Sequence, residues 1–209
     1  MSADPHKTRY IPHRGEIIGI TPKVASTTLF YVILRNNNGV RKDWITQQAA
    51  VDSGLPVNLI VRDPLDRLVS GFHWFRDRHT TAIREVVDNS MDDSKRLLGC
   101  DEYKNIGIEA WFDVAKRYYN DHWCPQSEYH SLDGNLVATK LWPLESLLLR
   151  TTHKEKATKR KPTEEYFKNK AFLNEVSDYY AADIELYART KENWNGQAPS
   201  ILRRTESTV

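Results

Sequence analysis

Val57-Asn58-Leu59-Ile60-Val61-Arg62-Asp63-Pro64-Leu65-Asp66-Arg67-Leu68-Val69-Ser70-Gly71-Phe72 changes its hydrophobic period partway along. Its first five residues form a short apolar run, the pattern of a strand covered on both faces. Arg62-Asp63-Pro64 breaks the run. Leu65, Leu68, Val69, Phe72 and Phe75 then recur at helical spacing, so an amphipathic helix is expected over residues 65–78. Upstream, Glu16-Ile17-Ile18-Gly19-Ile20 is a second apolar run. A polar turn at residues 21–28 and an apolar helical stretch at 29–34 follow it, ending at Asn36-Asn37-Asn38-Gly39. Two copies of strand, polar turn and helix indicate an α/β fold whose helices flank a central parallel sheet.

Outward from these units the chain is less regular. A partial helix is expected at 46–52 and a charged excursion with one short helix (82–89) at 79–106. Residues 108–119 read as a helix with Trp111, Phe112 and Ala115 inward, and 121–134 as a loop. A third strand is expected at 135–141 and a short helix at 143–149. Residues 150–162 carry six Lys or Arg and little that is apolar, as in a solvated loop. Thr163 suits an N-cap, with Glu164 and Glu165 in the favoured first turn of one long helix running from Tyr166 to Tyr187. The expected organisation is an N-terminal extension (1–15), one domain (16–190) and a C-terminal tail (191–209).

Composition narrows the function classes. The chain has 209 residues, enough for a core without staples. Thirty Lys and Arg against 28 Asp and Glu give a net charge of +2, which argues against a dedicated nucleic-acid binder. No apolar run reaches about 18 residues and the first 16 carry no secretory pattern, so neither membrane insertion nor export is expected. Cys100 and Cys124 make neither a disulfide framework nor a zinc ribbon, which suits a reduced, cytoplasmic compartment.

Both polar turns follow a strand and precede a helix, where backbone N–H groups and a helix N-terminus receive an anion. In Thr21-Pro22-Lys23-Val24-Ala25-Ser26-Thr27-Thr28, Lys23 adds a point charge and Ser26, Thr27 and Thr28 add hydroxyls. The segment lacks GxxxxGK[ST], so it is not a Walker loop. In the second unit Arg62 ends the strand and Ser70 follows two helical turns on, a fork and a hydroxyl suited to a terminal phosphate. The plainer alternatives are an ordinary βα turn capped by hydroxyls and an Arg–Asp pair capping a helix.

The pair PKVASTT and VRDPLDRLVSGF resembles the two cofactor motifs of the carbohydrate sulfotransferases that use 3′-phosphoadenosine 5′-phosphosulfate (PAPS), most nearly the uronyl 2-O and chondroitin/HNK-type groups. Asp121-His122-Trp123-Cys124-Pro125-Gln126 resembles their HWxPQ-type segment. Leu141-Trp142-Pro143-Leu144-Glu145-Ser146-Leu147 resembles a later strand–Glu–helix segment, and 152–163 a basic loop. The resemblance spans most of residues 16–190. It implies a sheet of P-loop-like topology and transfer of a sulfuryl group to a hydroxyl of a glycan. It assigns Lys23, Ser26, Thr27 and Thr28 to the 5′-phosphosulfate and Arg62 and Ser70 to the 3′-phosphate; Val24 and Ala25 are expected to line the same first turn, and the basic loop with Lys159 and Arg160 to close over the 3′-phosphate or to meet an anionic glycan. The chain departs from the animal members in lacking an N-terminal anchor and disulfides, which suits a bacterial or viral setting. No histidine falls between His13 and His73, so the catalytic histidine of the 2-O enzymes has no counterpart.

Sulfuryl transfer needs a base for the acceptor hydroxyl, charge stabilisation at the sulfuryl oxygens and a cation at the leaving phosphate. Lys23 suits the last role, and no metal is required. His122 is the expected base, with His73, His79, His130 and Glu145 as rivals; His73, His79 and His130 read as surface or solvated positions. Gln126 is the freer partner for the imidazole of His122, since the side chain of Asp121 diverges. Trp74, Trp111, Trp123 and Trp142 offer stacking surface or core. Two other readings stand beside this one: a nucleotide-dependent phosphotransferase of the same fold class, and a non-catalytic glycan- or nucleotide-binding module.

Overall fold

The computed structural model describes residues 10–24, 29, 44–77, 106–117, 121–148, 162–197 and 199. The expected helices at 29–34 (beyond Leu29) and 82–89, and the stretch 150–161, lie outside the described residues. The fold is α/β: a four-stranded mixed sheet flanked by helices.

Strands β1 (Tyr10–His13), β2 (Glu16–Gly19), β3 (Val57–Val61) and β6 (Lys140–Pro143) lie side by side in the order β1-β2-β3-β6. The sheet is therefore not wholly parallel. β2, β3 and β6 are parallel, but β1 runs antiparallel to β2, pairing Tyr10 with Gly19 and His13 with Glu16. The two-residue connection Arg14-Gly15 sets this hairpin, with φ of 52° and 74°; left-handed residues at both central positions match the twist of paired strands. The sheet thus begins inside the segment read as an extension.

β3 is buried at all five positions, as its sequence requires. Its one polar residue, Asn58, is fully satisfied: Nδ2 donates to Glu16 Oε2 (2.7 Å) and to Ile17 O (3.4 Å), and Oδ1 accepts from Trp142 Nε1 (2.9 Å). Side chains alternate across the pleat. Ile18 and Ile60 join Ile11, Ile20, Val24, Leu29 and Leu147 on one side, while Ile17 and Val57 pack with Tyr10 and Ala50 on the other.

Helix α1 (Gln47–Asp52) opens on Thr46, whose side chain accepts from the N–H of Ala49. Helix α2 (Pro64–Asp77) opens on Asp63, whose Oδ1 accepts from Asp66 N at 3.0 Å, with Pro64 at the tolerated first position. The apolar stripe Leu68, Val69, Phe72 and Phe75 of α2 packs on Trp111, Phe112 and Ala115 of α3 (Ile108–Ala115), and on Trp123, Phe172, Val176 and Tyr180.

Three expectations need correction. The 121–134 loop contains α4 (Gln126–Tyr129) and the first strand and turn of a small hairpin, β4 (Ser131–Leu132) paired with β5 (Asn135–Leu136) and turned at Asp133-Gly134 with φ of 50° and 78°. The single strand expected at 135–141 is accordingly two, β5 and β6, and α5 (Glu145–Leu148) follows. The long C-terminal helix is three pieces: a 3₁₀ turn (Thr163–Tyr166), α6 (Lys170–Tyr179) capped by Asn169, and α7 (Ala181–Glu192). Pro162, not Thr163, holds the cap position of the turn, and the Thr163 hydroxyl instead donates to Asp66. The break at Tyr180 carries no Gly or Pro. Its ring is buried in the core and its hydroxyl donates to Trp123 O, so tertiary contacts override the local helical pattern.

Candidate functional site

In a parallel sheet the C-terminal ends of neighbouring strands share one edge. The turn after β2 and the turn after β3 therefore lie side by side, and they are bonded: Arg62 Nη1 donates to Lys23 O at 2.8 Å. Thr21-Pro22-Lys23-Val24 is a β-turn closed by Val24 N donating to Thr21 O at 3.3 Å. Pro22 supplies the fixed φ of its second position and Lys23 takes the left-handed third position at φ +66°. A lysine there is strained where glycine would not be. Val24 is fully buried, so its side chain is core and its N–H shapes the turn. Ala25, Ser26, Thr27, Thr28, Lys159 and Arg160 lie outside the described residues, as does His79.

Helix α2 presents a second stripe, Arg67, Ser70, Gly71 and Trp74, at spacings of three and four. Arg67, Gly71 and Trp74 each meet the segment carrying His122. Arg67 is 1 % exposed and donates to Asp121 O (2.9 Å), Cys124 O (2.5 Å) and Pro22 O (3.4 Å). A buried guanidinium is tolerated because its donors meet carbonyls. Arg67 thereby straps the first turn to residues 121–124. A Cβ on Gly71 would come within 3.0 Å of His122 O, so glycine there permits the close approach. The Trp74 indole stacks on the imidazole of His122, ring centroids 3.6 Å apart and planes 12° apart, and the Lys23 ammonium sits 5.0 Å from the same indole's centroid. Lys23 and His122 thus meet at one tryptophan. Ser70, 8 % exposed, belongs to the same stripe.

Beneath the edge lies a buried polar layer. Gln126, 1 % exposed, donates Nε2–H to Ile60 O (2.6 Å) and Thr21 Oγ1 (3.3 Å), and its Oε1 accepts from Arg62 N (3.4 Å). It is therefore committed to both turns rather than available to His122. Asp183 on α7 accepts at Oδ2 from Gln126 N (2.5 Å) and at Oδ1 from Ser127 N (2.7 Å), clamping the start of α4. His130 is not solvated. It is wholly buried, with Nδ1 2.8 Å from the Tyr10 hydroxyl and Nε2 2.7 Å from Thr21 Oγ1. Gly19 makes room for it, since a Cβ there would meet Tyr10, Leu59 and His130 at 3.1–3.3 Å.

His73 is not a surface residue either; it is 4 % exposed and bonded to Tyr166 and Arg76. Glu145 accepts from Tyr187 (2.7 Å) and Lys191 (2.9 Å). Burial pulls its carboxyl upward, but these bonds outweigh burial and hold it below the ordinary carboxylate value. Of the four candidate tryptophans, Trp111 and Trp123 are core, Trp142 packs against the sheet core and donates to Asn58, and Trp74 is stacked on His122. A cavity of about 370 Å³ beside the start of α2 is lined by Asp63, Asp66 and Glu164 with Leu65, Phe167 and Leu173. Its carboxylates give it the wrong sign for an anionic nucleotide.

Sequence reasoning missed Arg67, Asp183 and Tyr10. For Arg67 a signal existed, since polar and small residues recur at helical spacing opposite the apolar stripe of α2. No helix among the described residues is long and apolar enough to cross a membrane. No family model, curated protein or solved structure matches the chain.

Proposed function

We propose that the chain is a sulfotransferase that moves a sulfuryl group from PAPS to a carbohydrate hydroxyl, on a sheet of P-loop-like topology. The observation that carries this reading is the Arg62–Lys23 bond at the shared edge of β2 and β3, with His122 brought to Lys23 through Trp74. Two strand-end turns at one sheet edge, each carrying a cation, suit a nucleotide phosphorylated at two separate positions better than they suit a single phosphate.

The side chains fit such a donor by sign: Lys23, Arg62 and Ser70 are donors, and the nearby Asp63 uses Oδ1 to cap α2. Arg62 and Ser70 would grip the 3′-phosphate and Lys23 would face the 5′-phosphate. The donor supplies an activated sulfuryl group, which passes to the acceptor oxygen as its bond to the 5′-phosphate breaks. Lys23 offsets the charge that grows on the leaving oxygen, an interaction stronger in the transition state than before it. His122 accepts the proton of the acceptor hydroxyl. Its stack on Trp74 fixes the plane of the ring, and Arg67 and Gly71 fix the backbone that carries it.

The test is a thermal-shift titration with adenosine 3′,5′-bisphosphate, ADP and ATP, followed by transfer of labelled sulfate from PAPS to a panel of glycans. Preferential stabilisation by the bisphosphate is expected. Equal or greater stabilisation by ATP with phosphoryl transfer would replace this reading with a phosphotransferase.

A further inference from the structure

The 3₁₀ turn Thr163–Tyr166 lies along α2 and is fastened to it at two points. The Thr163 hydroxyl donates to Asp66, and the Tyr166 hydroxyl is 2.7 Å from His73 Nε2. Asp66, Ser70 and His73 are spaced four and three apart, so they form one line on the helix with Ser70 in the middle. The turn therefore straddles Ser70.

The direction of the hydrogen bonds at its far end is fixed by chemistry. Arg76 Nη2 is 3.0 Å from His73 Nδ1, and a guanidinium only donates. Nδ1 therefore accepts and carries no proton, which leaves the ring proton on Nε2. His73 Nε2–H donates to the Tyr166 oxygen, so the proton of the Tyr166 hydroxyl points to a different acceptor. Each bond polarises the next, and the chain starts at a fixed positive charge, so the phenol is a strengthened donor. Its ring is held edge-on to His73 (5.5 Å) and to Phe72 (6.4 Å), and the Arg76 guanidinium lies 5.5 Å from the centre of the Phe72 ring.

We infer that Tyr166 is a further anion-binding residue, donating its hydroxyl proton to a phosphate oxygen held at Ser70. Arg76 and His73 act through it as positioning residues. The inference rests on the proposed function for the identity of the phosphate, the 3′-phosphate of the donor, but not for the presence of an oxyanion.

Tyr166→Phe keeps the ring packing and removes only the donor. Calorimetric titration of the full chain with adenosine 3′,5′-bisphosphate should show about tenfold weaker binding, the loss of one charge-assisted hydrogen bond. Affinity for adenosine 5′-phosphate should be unchanged. Arg76→Met should weaken the bisphosphate by a smaller factor, and by none in the Tyr166→Phe background. Unchanged bisphosphate affinity in Tyr166→Phe, or equal losses for both nucleotides, overturns the inference. If the wild-type chain binds neither nucleotide, the sulfotransferase reading falls by itself, and titration with inorganic phosphate decides the inference. Weaker phosphate binding by Tyr166→Phe then upholds it; equal binding, or none by the wild type, overturns it.

Discussion

Arg62 donates Nη1–H to the carbonyl oxygen of Lys23 at 2.8 Å, so the residue that follows β3 is hydrogen-bonded to the backbone of the turn that follows β2. A substitution at Arg62 thus acts twice. Arg62→Ala should lower stability by about 1–2 kcal/mol through the lost bond. It should also erase most of the extra thermal stabilisation that the 3′,5′-bisphosphate gives over ADP. Equal stabilisation of the wild-type chain by the two nucleotides would remove Arg62 from the 3′-phosphate.

The left-handed backbone of Lys23 separates its conformational role from its chemical one. Lys23→Gly and Lys23→Asn accept φ +66° more readily than lysine, so both variants should match or exceed the wild type in thermal stability, by up to about 1 kcal/mol. Lys23→Ala gains nothing of this kind. All three should lose turnover by orders of magnitude, with a smaller loss in bisphosphate affinity. If only the KM for the donor rises, Lys23 binds but does not stabilise the leaving group.

His122→Asn should cost roughly 10²-fold or more in turnover and leave donor binding nearly intact. Gly71→Ala provides an independent approach to the same residue. Its methyl group meets His122 O at 3.0 Å, and overpacking of this kind costs about 1–3 kcal/mol. Because the displaced backbone carries the imidazole, turnover should fall further than the stability loss explains. Normal turnover in His122→Asn would move the base elsewhere.

Acid stability should carry a contribution from the row Glu16–Asn58–Lys140 that crosses three strands. Burial raises the Glu16 carboxyl, but hydrogen bonds from Lys140 (2.5 Å) and Asn58 (2.7 Å) and the charge of Lys140 outweigh it, leaving the pKa below 4.5. A carboxyl lowered in the folded state binds fewer protons there than when unfolded. Its stabilisation is complete above about pH 4.5 and fades as pH falls through the lowered folded value. Denaturant midpoints measured from pH 6 to pH 2.5 should fall less steeply in Glu16→Gln than in the wild type. Parallel profiles would show that the row contributes nothing through titration.

What could be read from the sequence was local. The period change at Arg62-Asp63-Pro64 marks β3 and α2, Thr46 marks the start of α1, and Lys23 and Arg62 stand out as cations at strand ends. β1 escapes because it is four residues long and contains Pro12, which only an edge strand tolerates. His130 reads as a loop residue because its partners, Tyr10 and Thr21, lie 120 and 109 positions away. The contact of Trp74 with His122 escapes for the same reason: no spacing along the chain encodes a stack between a helix and a later segment. Gln126 was visible as polar, but its burial follows from two turns that meet only once the sheet is assembled.

The clamp of Asp183 on Gln126 and Ser127 bears on the order in which the protein takes shape during synthesis. Both strand-end turns and the His122 segment are made before α7 exists, and the carboxylate that fixes the start of α4 arrives 57 residues after Gln126. Chains emerge at about 5–20 residues per second, so for some seconds the nascent protein has both strand-end turns without the carboxylate that holds the start of α4. A chain stopped before Asp183 would leave the backbone N–H groups of Gln126 and Ser127 without their carboxylate, and β3 and β6 without the helix that packs on them.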